Sequence, residues 1–511
     1  MAMSKAKVSI QLDRALADVD HLIFGHFTEH AFGNVYGGVY DPANPLSDGD
    51  GMRADVLEKL RQANATLLRY PGGNFVSNYH WEDGVGPRES RKRVFEYAWH
   101  TEESNHFGTA EFVAECRKVG AEPYLCVNMG TGTVEEAMHW VEYCNGTGNT
   151  YYANLRRSHG YEEPFNVKYW GLGNEMYGDW QMCKLSAEEY GRRALEFAKA
   201  MKWVDDSIKL VVCGLQDSCD WNVDALKPLY SMVDYISAHV YAVGWGAFKR
   251  DDYLDNLYVP TFMEKQNNMA KASIIVAQND DENRIKVAWD EWNLFGWVVD
   301  GVNDDRSYDL QNAIITALIL NFFIKNADSV GMANYSTFVN INGALSVKED
   351  GVLCRAQYCV FDLLANNTGS LLVDTRVQCG AYNRVVPRNA SKRKAPGTDA
   401  LLLNKETENR ADIPFVDAVT TVDQQGNIYL SLINKHLEED MEITLEFMGD
   451  EAPTGEASIQ TIYAEDIHAC NEMGKEPQVR IQDMGSVTAG KTMTLTVKKH
   501  SVNMIKMHMA N

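Results

Sequence analysis

The sequence lacks paired cysteines and long hydrophobic runs. Its ten cysteines are scattered singly, without CxxC motifs, so reduced thiols are expected rather than a secreted disulfide scaffold. No uninterrupted apolar run is long enough to span a bilayer, and the opening MAMSKAKVSIQLD has no apolar core like that of a signal peptide. We therefore expect a cytoplasmic protein that is not inserted in a membrane.

Basic residues are also in short supply. There are 48 lysines and arginines against 71 aspartates and glutamates, which gives a formal net charge of -23. Nucleic acids and anionic membrane surfaces bind mainly through Lys and Arg, so this balance would repel both. We expect neither as a partner, and a neutral substrate fits the charge better.

The chain is long enough for a barrel-sized domain and a smaller accessory domain. Between residues 20 and 370, short apolar runs alternate with helical patterns, as in βα units around a parallel sheet. Clear helix candidates occupy residues 187–204 and 308–325. Eight strand-like runs can be counted, at residues 22–29, 66–70, 122–128, 167–175, 208–214, 233–241, 285–291 and 329–336. Eight parallel strands predict an α/β protein with a (β/α)8 TIM barrel.

After residue 370 the pattern changes to alternating strands with turn signals, such as AVTTVDQQGNIYLSLINK and TMTLTVKKHSVNMIKM. We predict a C-terminal all-β sandwich, jelly-roll-like, over residues 371–511. Residues 1–19 contain the strand-like run KVSIQL, which has no helix of its own, and we expect it to join this sandwich. A polar, basic stretch at residues 389–398 predicts a surface loop.

Two glutamates end apolar runs of the predicted barrel. Glu175 ends VKYWGLGNE, the fourth run, and Glu291 ends IKVAWDE, the seventh. Barrel enzymes place their working groups at the C-terminal ends of the strands, so we expect the two side chains to meet in one cleft. Two such carboxylates suit glycosidic bond cleavage, because one protonates the leaving oxygen while the other attacks or stabilises the oxocarbenium-like transition state.

The two roles need different surroundings. The acid needs a raised pKa, from an apolar surround or a neighbouring charge, whereas the nucleophile must stay ionised. An apolar wall beside Glu175 is expected from Tyr177, Trp170 and Trp180. A single glutamate at a strand end is more often a solvated charge. Two at matching strand ends, in contexts rich in Asn and Trp, favour the catalytic interpretation.

Four long motifs follow one another along the chain. They read GHFTEHAFGNVYGGVYDP (residues 25–42), LLRYPGGNFVSNYHWEDGVGPRESR (67–91), WGLGNEMYGDWQ (170–181) and DEWNLF (290–295). These segments resemble glycoside hydrolase family 51, whose members are chiefly retaining α-L-arabinofuranosidases of clan A. The resemblance covers nearly the whole chain, since VDAVTTVDQQGNIYLSLINKH and HSVNMIKM match the family's C-terminal β-sandwich.

The resemblance implies a role for each matching residue. Glu175 would be the acid/base and Glu291 the nucleophile of a double displacement that releases terminal arabinofuranosyl residues. Arg69 would keep the nucleophile ionised. The family's Trp-Arg-Gln run after strand eight reads Cys354-Arg355-Ala356-Gln357 here, so that hydroxyl contact is either missing or comes from Gln357. The implied substrate-binding residues are Glu29, Asn74, Asn174, Trp99, Tyr241, His239, Arg69 and Gln357.

The resemblance also implies the partners of the protein. Its substrate would be an arabinofuranose-containing oligosaccharide, and neither a metal nor an organic cofactor is implied. The implied assembly is a homo-oligomer such as a hexamer.

One rival enzyme class is a zinc peptidase. The segment His26-Phe27-Thr28-Glu29-His30 matches H-x-x-E-H, in which two histidines one helical turn apart share a metal. The apolar run before this segment and the glycines Gly33, Gly37 and Gly38 after it disfavour a helix. In a strand the two histidines would lie roughly 13 Å apart, too far to share an ion.

The ligand also has more than one interpretation. Pro71-Gly72-Gly73 predicts a tight turn rather than a phosphate loop, because no Lys or Ser/Thr follows in the required arrangement. A non-catalytic carbohydrate-binding barrel stays open as a second class of function. A third interpretation keeps the mechanism and changes the sugar to a β-xyloside, a β-glucan or a galactofuranoside.

Overall fold

A computed structural model describes residues 4–243, 248, 252–279, 284–297, 304–386 and 410–509. The surface loop expected at residues 389–398 lies outside the described residues. The strands are β1 (Ser4–Asp18), β2 (Gly25–Phe27), β3 (Leu67–Tyr70), β4 (Val94–Glu96), β5 (Thr101–Glu103), β6 (Glu122–Val127), β7 (Tyr169–Leu172), β8 (Lys209–Val212), β9 (Tyr235–Val243), β10 (Lys286–Phe295), β11 (Val330–Tyr335), β12 (Leu345–Lys348), β13 (Gly351–Cys354), β14 (Leu371–Gln378), β15 (Ala381–Val385), β16 (Arg410–Pro414), β17 (Val416–Val422), β18 (Asn427–Asn434), β19 (Met441–Phe447), β20 (Pro453–Ile462), β21 (Ile481–Thr488), β22 (Thr492–Val497) and β23 (Ser501–Met509). The α-helices are α1 (Ala54–Gln62), α2 (Thr109–Val119), α3 (Val134–Asn145), α4 (Tyr151–Ser158), α5 (Ala187–Val204), α6 (Cys219–Leu226), α7 (Tyr253–Asn256), α8 (Val259–Gln278), α9 (Leu310–Lys325) and α10 (Ala356–Ala365).

Eight parallel strands close into a barrel, in the order β10-β11-β2-β3-β6-β7-β8-β9. Each of the eight strand-like runs in the sequence contains or overlaps one of these strands, so the predicted TIM barrel is confirmed. Strands β9 and β10 extend beyond the predicted runs, because they continue to pair as far as Val243 and Phe295. These longer strands carry part of the site described below.

Side chains alternate between the barrel interior and the surrounding helices, as the period of a strand requires. On β7, Tyr169 belongs to a small cluster of buried residues contributed by neighbouring barrel strands. Its neighbour Trp170 faces the other way and meets Trp140 of α3 edge-to-face, with ring centroids 5.6 Å apart. The expectation that Trp170 lines the site beside Glu175 is therefore wrong.

Helix α9 is apolar on every side, and all of its residues except Lys325 are buried. It lies between β10 and β11 of the barrel on one side and β17, β18 and β23 of the C-terminal sheet on the other. A helix covered on two faces needs no polar stripe. Helix α9 is thus shared by the hydrophobic cores of the barrel and the sheet domain, and it joins the two.

The C-terminal region is built on a nine-stranded sheet, in the order β21-β20-β23-β18-β17-β14-β1-β19-β22. The predicted all-β C-terminal domain is confirmed. Strand β22 shows the expected alternation, with every second side chain buried. The N-terminal strand β1 lies within this sheet, antiparallel to β14 and parallel to β19.

The helices and the cysteines bear on the expected absence of membrane spans and disulfides. Among the described residues, no helix combines the length and the apolar character needed to cross a membrane. All ten cysteines are free, and the one that is exposed is Cys183.

Candidate active site

Glu175 and Glu291 come together at the C-terminal end of the barrel. Glu291 lies inside β10, whereas Glu175 follows the end of β7 by three residues. A carboxylate oxygen of one lies within 4.8 Å of a carboxylate oxygen of the other. The backbone of Glu175 has a φ of 44°, in the left-handed region that costs a non-glycine residue about 1–3 kcal/mol. Such strain is characteristic of positions held by function.

His239 of β9 bridges the two carboxylates. Its Nδ1 lies 2.8 Å from Glu175 Oε1 and 3.2 Å from Glu291 Oε2. Its Nε2 lies 3.3 Å from Asp290 Oδ1 and 3.0 Å from Ser237 Oγ. Burial alone would lower the pKa of His239, but the carboxylates of Glu291, Asp290 and Glu175 raise it to about 10. The ring is therefore an imidazolium at neutral pH.

Glu291 is held by two further donors, one on β3 and one on β9. Arg69 of β3 places Nη1 3.3 Å from Glu291 Oε2, and Tyr241 of β9 donates a hydrogen bond of 2.7 Å to Oε1. Arg69 is buried and also donates to Asn174 Oδ1 at 2.6 Å. The amide nitrogen of Asn174, Nδ2, is buried without a protein partner among the described residues. A substrate hydroxyl would satisfy this amide.

Asp290 contacts both cations of the site, Arg69 and His239. Its carboxylate accepts hydrogen bonds from Tyr124 at 2.8 Å and from Ser237 at 2.5 Å, and it lies 3.4 Å from Arg69 Nε. Burial opposes its charge, but the guanidinium of Arg69 and the imidazolium of His239 lower the pKa of Asp290 to about 2. Asp290 therefore stays ionised and holds Arg69 and His239 next to Glu175 and Glu291.

The pKa values of the pair differ from the expectation. Burial opposes ionisation of Glu175, but the His239 imidazolium at 2.8 Å outweighs it and lowers the pKa of Glu175. Burial and the charge of Glu175 raise the pKa of Glu291. The expected order is thus reversed in the free site, because Nδ1 lies nearer to Glu175 than to Glu291. Two carboxylates this close titrate as a pair.

Glu29 lies two residues after β2 and is buried. Its Oε1 accepts hydrogen bonds from the Trp99 indole at 3.2 Å and from the backbone of Phe75 at 3.3 Å. Burial and the nearby Glu291 charge raise the pKa of Glu29 to about 8. At neutral pH this group is mostly protonated, so it can both donate to and accept from a sugar hydroxyl.

The turn between β3 and Asn74 passes directly beside the acidic groups. Gly72 has a φ of +150°, and a Cβ there would stand 2.5 Å from the Glu29 side chain. A Cβ at Gly73 would meet Asn174 at 3.3 Å and Glu291 at 3.4 Å. The two glycines therefore let the backbone approach the site and deliver Asn74, the first residue of a short 3-10 helix, to its rim.

An aromatic wall closes one side of the site. The Trp99 ring stacks on Trp297 at 5.3 Å, and Phe32 meets the two rings edge-on at 4.9 and 5.8 Å. Two other aromatic residues contact Glu175. Trp180 donates its indole N–H to the Glu175 carboxylate, and the Tyr177 hydroxyl donates to the same carboxylate at 3.3 Å. The expectation that Tyr177 and Trp180 lie beside Glu175 is confirmed by these contacts.

Comparisons with known proteins match both parts of the chain. Residues 59–258 match the model of the alpha-L-arabinofuranosidase 1 domain, and residues 290–501 match the alpha-L-arabinofuranosidase C-terminal domain. A probable alpha-L-arabinofuranosidase C of Aspergillus fumigatus is 37% identical over 92% of this chain and 91% of its own length. The chain belongs to the α-L-arabinofuranosidases of glycoside hydrolase family 51.

Two further relatives bear on this arabinofuranosidase family member. An alpha-L-arabinofuranosidase from Thermotoga maritima, solved as an arabinose complex, matches with a TM-score of 0.85 and 36% identity, covering 99% of this chain and 100% of the other. An intracellular exo-alpha-(1->5)-L-arabinofuranosidase 1 of Bacillus subtilis is 38% identical over 69% of this chain and 73% of its own length. The resemblance to family 51 that the four motifs indicate is confirmed.

One of the substrate-binding residues implied by that resemblance, Gln357, makes no described contact with Glu175 or Glu291. Gln357 is buried in the first turn of α10, and its Oε1 has no protein partner among the described residues. It makes no described hydrogen bond to Glu175 or Glu291, and its predicted contact with substrate stays a prediction.

The histidines of the H-x-x-E-H segment lie in separate surroundings. The segment consists of the end of β2 and a loop, so its histidines are not one helical turn apart. His26 packs against Phe338 with ring centroids 3.9 Å apart, and burial lowers its pKa to about 3. His30 instead contacts Tyr70 and Glu103. The geometry that the zinc-peptidase pattern requires is therefore not formed.

The three side chains Glu175, His239 and Glu291 are close enough to act as metal ligands. A histidine ligand must be neutral, however, and metal binding would have to displace the proton that three carboxylates hold on His239. The arrangement suits a proton shared between side chains better than a cation.

Sequence reasoning missed several residues of the arabinofuranosidase site. Asp290 adjoins Glu291 in the DEWNLF motif, but the sequence argument gave a role only to Glu291. Ser237 occupies β9 two residues before His239, where strand alternation predicts the same face. Trp297 lies outside the four motifs, and its local pattern does not distinguish a sugar-stacking ring from core packing. The DEWNLF motif and strand period could have located the first two.

Proposed function

We propose that the protein is a retaining, exo-acting α-L-arabinofuranosidase that releases terminal non-reducing arabinofuranosyl residues from arabino-oligosaccharides. The observation that carries this proposal is the approach of a Glu175 oxygen to within 4.8 Å of a Glu291 oxygen. Retaining glycosidases hold their carboxyl groups about 5–5.5 Å apart, whereas inverting enzymes need roughly 6.5–9.5 Å to admit a water. The short separation favours double displacement.

In the first step Glu291 attacks the anomeric carbon while Glu175 protonates the departing oxygen, which forms a glycosyl ester of Glu291. Arg69 and Tyr241 contact the two oxygens of Glu291 and stabilise its charge before attack. In the second step Glu175 removes a proton from water, and that water releases the sugar with retained configuration.

His239 accounts for the low pKa of Glu175 in the free site. Because the pKa of His239 is raised to about 10 while that of Glu175 is lowered, the proton rests on the imidazolium side of their 2.8 Å hydrogen bond. We propose that this proton passes to Glu175 as the leaving oxygen takes up negative charge, and that the proton which Glu175 later removes from water returns to His239. Glu175 can then act as a general acid although its own resting pKa is low.

The choice of sugar is supported by the relatives. The Thermotoga maritima structure is an arabinose complex, and the Bacillus subtilis relative is named an exo-α-(1→5)-L-arabinofuranosidase. The latter is also named intracellular, which together with ten free cysteines supports a cytoplasmic location. Assembly into a homo-oligomer such as a hexamer stays a prediction that analytical ultracentrifugation would test.

The test is a panel of 4-nitrophenyl glycosides: α-L-arabinofuranoside, β-D-xyloside, β-D-glucoside and β-D-galactofuranoside. We expect the arabinofuranoside to give the highest kcat/KM, and Glu291→Ala to lose turnover of it by a factor of at least about 10⁴. Proton NMR of the first-formed product should show the α anomer. Binding without turnover would indicate a carbohydrate-binding barrel, and faster turnover of another sugar would reassign the substrate.

A further inference from the structure

The tyrosine that contacts Glu291 has a second hydroxyl beside it. Tyr241 of β9 donates a hydrogen bond of 2.7 Å to Glu291 Oε1, and its oxygen also lies 2.6 Å from Ser336 Oγ. Ser336 directly follows β11, the barrel strand next to β10, and its side chain is fully buried. Three side chains from the neighbouring strands β9, β10 and β11 therefore form one chain of hydrogen bonds.

Ser336 is held on both sides of its backbone by the strand that carries Glu291. Its N–H donates to the Trp292 carbonyl at 2.9 Å, and its carbonyl accepts a hydrogen bond of 2.9 Å from the side-chain amide of Asn293. Trp292 and Asn293 are the two residues that follow Glu291 in β10. The Ser336 hydroxyl is thus fixed in position relative to Glu291.

The direction of the two hydrogen bonds follows from which groups carry hydrogen. An ionised carboxylate only accepts, so the phenolic hydrogen of Tyr241 points at Glu291. Between Tyr241 and Ser336 the donor must then be the serine hydroxyl. Within the described part of the chain, this hydroxyl has no hydrogen-bond partner besides Tyr241. The chain therefore runs from Ser336 through Tyr241 to Glu291.

The phenol of Tyr241 stays a donor throughout the working pH range. Burial and the charge of Glu291 raise the pKa of Tyr241 well above its ordinary value, and the hydrogen bond from Ser336 acts in the opposite direction. A donor that itself accepts a hydrogen bond is more polarised and binds its acceptor more strongly, by roughly 10–30% per bond. Ser336 therefore fixes the direction of the bond to Glu291 and also strengthens it.

We propose that Ser336 is a positioning residue that holds the Tyr241 hydroxyl on Glu291 and so stabilises the charge that returns to Glu291 when the sugar leaves. This inference rests on the proposed double displacement. In the second step water adds to the anomeric carbon, its proton goes to Glu175, and the electron pair of the ester bond returns to Glu291.

The two steps should not depend on Ser336 equally. In the first step the charge of Glu291 is consumed as the ester forms, so a donor on this carboxylate gains nothing in the transition state. In the second step the charge grows on Glu291, and a donor already aimed at it stabilises the transition state. Loss of the Ser336 hydroxyl should therefore slow the release of the sugar from Glu291.

The experiment uses 2,4-dinitrophenyl α-L-arabinofuranoside in a burst assay, in which the first turnover reports the first step and the steady rate reports the second. We expect Ser336→Ala to lower the steady rate about fivefold, the size expected for one hydrogen bond, and to keep the burst rate within about twofold of wild type. KM should fall together with kcat, because the glycosyl-enzyme accumulates.

The matched control is Ser329→Ala. Ser329 directly precedes β11, at the opposite end of the strand that Ser336 follows, and it is 1% exposed. Its hydroxyl donates to the Asn326 carbonyl. Ser329→Ala therefore removes an equally buried hydroxyl away from Glu291, and it should leave both the burst and the steady rate unchanged.

A double-mutant cycle separates positioning from a general structural role. In a Tyr241→Phe background the Ser336 hydroxyl has no phenol to act on, so Ser336→Ala should lower the steady rate by less than about twofold further. A full loss in that background would overturn the proposal. So would an unchanged steady rate in Ser336→Ala alone, or a loss of kcat in which KM does not fall.

Circular dichroism and thermal unfolding of each variant identify misfolding. If Ser336→Ala does not fold, Ser336→Cys takes its place, because a thiol is only a weak donor. The wild-type protein decides the proposed function independently. If it turns over no arabinofuranoside, the function fails, whereas wild-type turnover with additive losses in the cycle removes only the role of Ser336.

Discussion

The carboxylate of Glu103 lies 3.1 Å from Nδ1 of His30, and both side chains are almost completely buried. His30 directly follows Glu29 in the chain, and Glu103 ends the hairpin that carries Trp99. This contact therefore fastens the hairpin to the first barrel strand. Tyr36 and the backbone of Asn105 donate to the other oxygen of Glu103, at 2.5 and 2.6 Å.

We predict that Glu103→Ala destabilises the protein by about 3–5 kcal/mol and raises KM for an aryl arabinofuranoside, because His30 is left buried without its partner and Trp99 loses its support. Urea unfolding and steady-state kinetics measure the two effects. The control is Glu102→Ala on the same strand, whose side chain is 75% exposed and pairs with exposed Arg93, and which should cost at most about 1 kcal/mol. Similar values for both variants would contradict the buried anchor.

His239→Gln tests the cation between the catalytic carboxylates. Because the pKa of His239 is raised to about 10, the wild-type ring stays charged across the working range and favours ionised Glu175. Removing this charge raises the pKa of the carboxylates, so the acidic limb of the pH profile of kcat/KM should move to higher pH. His468→Gln, at a 63% exposed histidine of the C-terminal domain, should leave the profile in place. An unmoved limb in His239→Gln would show that the ring is not a charged partner.

Glu175→Ala tests the acid. Substrates with good leaving groups need little protonation, so a dinitrophenyl arabinofuranoside should keep much of its first-step rate. A poor leaving group such as a sugar should lose about 10²–10⁴-fold, the usual contribution of general acid catalysis. Pre-steady-state kinetics isolates this step. Equal losses on both substrates would remove Glu175 from the acid role.

Glu115 of α2 makes a prediction about stability. It is fully buried with neither oxygen hydrogen-bonded within the described residues, and burial raises its pKa to about 8. Between its unfolded pKa of 4.5 and 8, the folded protein binds a proton that the unfolded chain releases, so stability falls as pH rises, by up to roughly 1.4 kcal/mol per unit. Glu115→Gln should remove the part of this slope that comes from Glu115 and be more stable than wild type at pH 8. Glu29, whose pKa is also raised to about 8, should keep its own part of the slope.

Thermal unfolding from pH 5 to pH 8 measures this slope. The comparison variant is Glu122→Gln, at an exposed position on β6, which should retain the wild-type dependence. A slope in Glu115→Gln that is as steep as in wild type would mean that Glu115 does not bind the proton.

Much of the fold could be predicted because its signals are local. The eight strand runs, the bounds of α5 at Ala187–Val204 and the alternating β22 all depend on residues within a few positions of one another. The strand-end rule likewise located Glu175 and Glu291. Trp170 was misplaced because a strand of four residues presents its two faces almost equally in sequence.

Hydrophobic period and motif spacing are properties of neighbouring residues, so they were enough to predict the barrel, the all-β domain, the family and the two glutamates. The folded protein was needed to establish the charge of His239, the reversed pKa order of the pair, the support from Asp290 and the anchoring of Trp99. Those properties arise from groups that are distant in the chain and meet in a buried, poorly solvated space. There a few ångströms determine which carboxylate lies nearest to a shared proton.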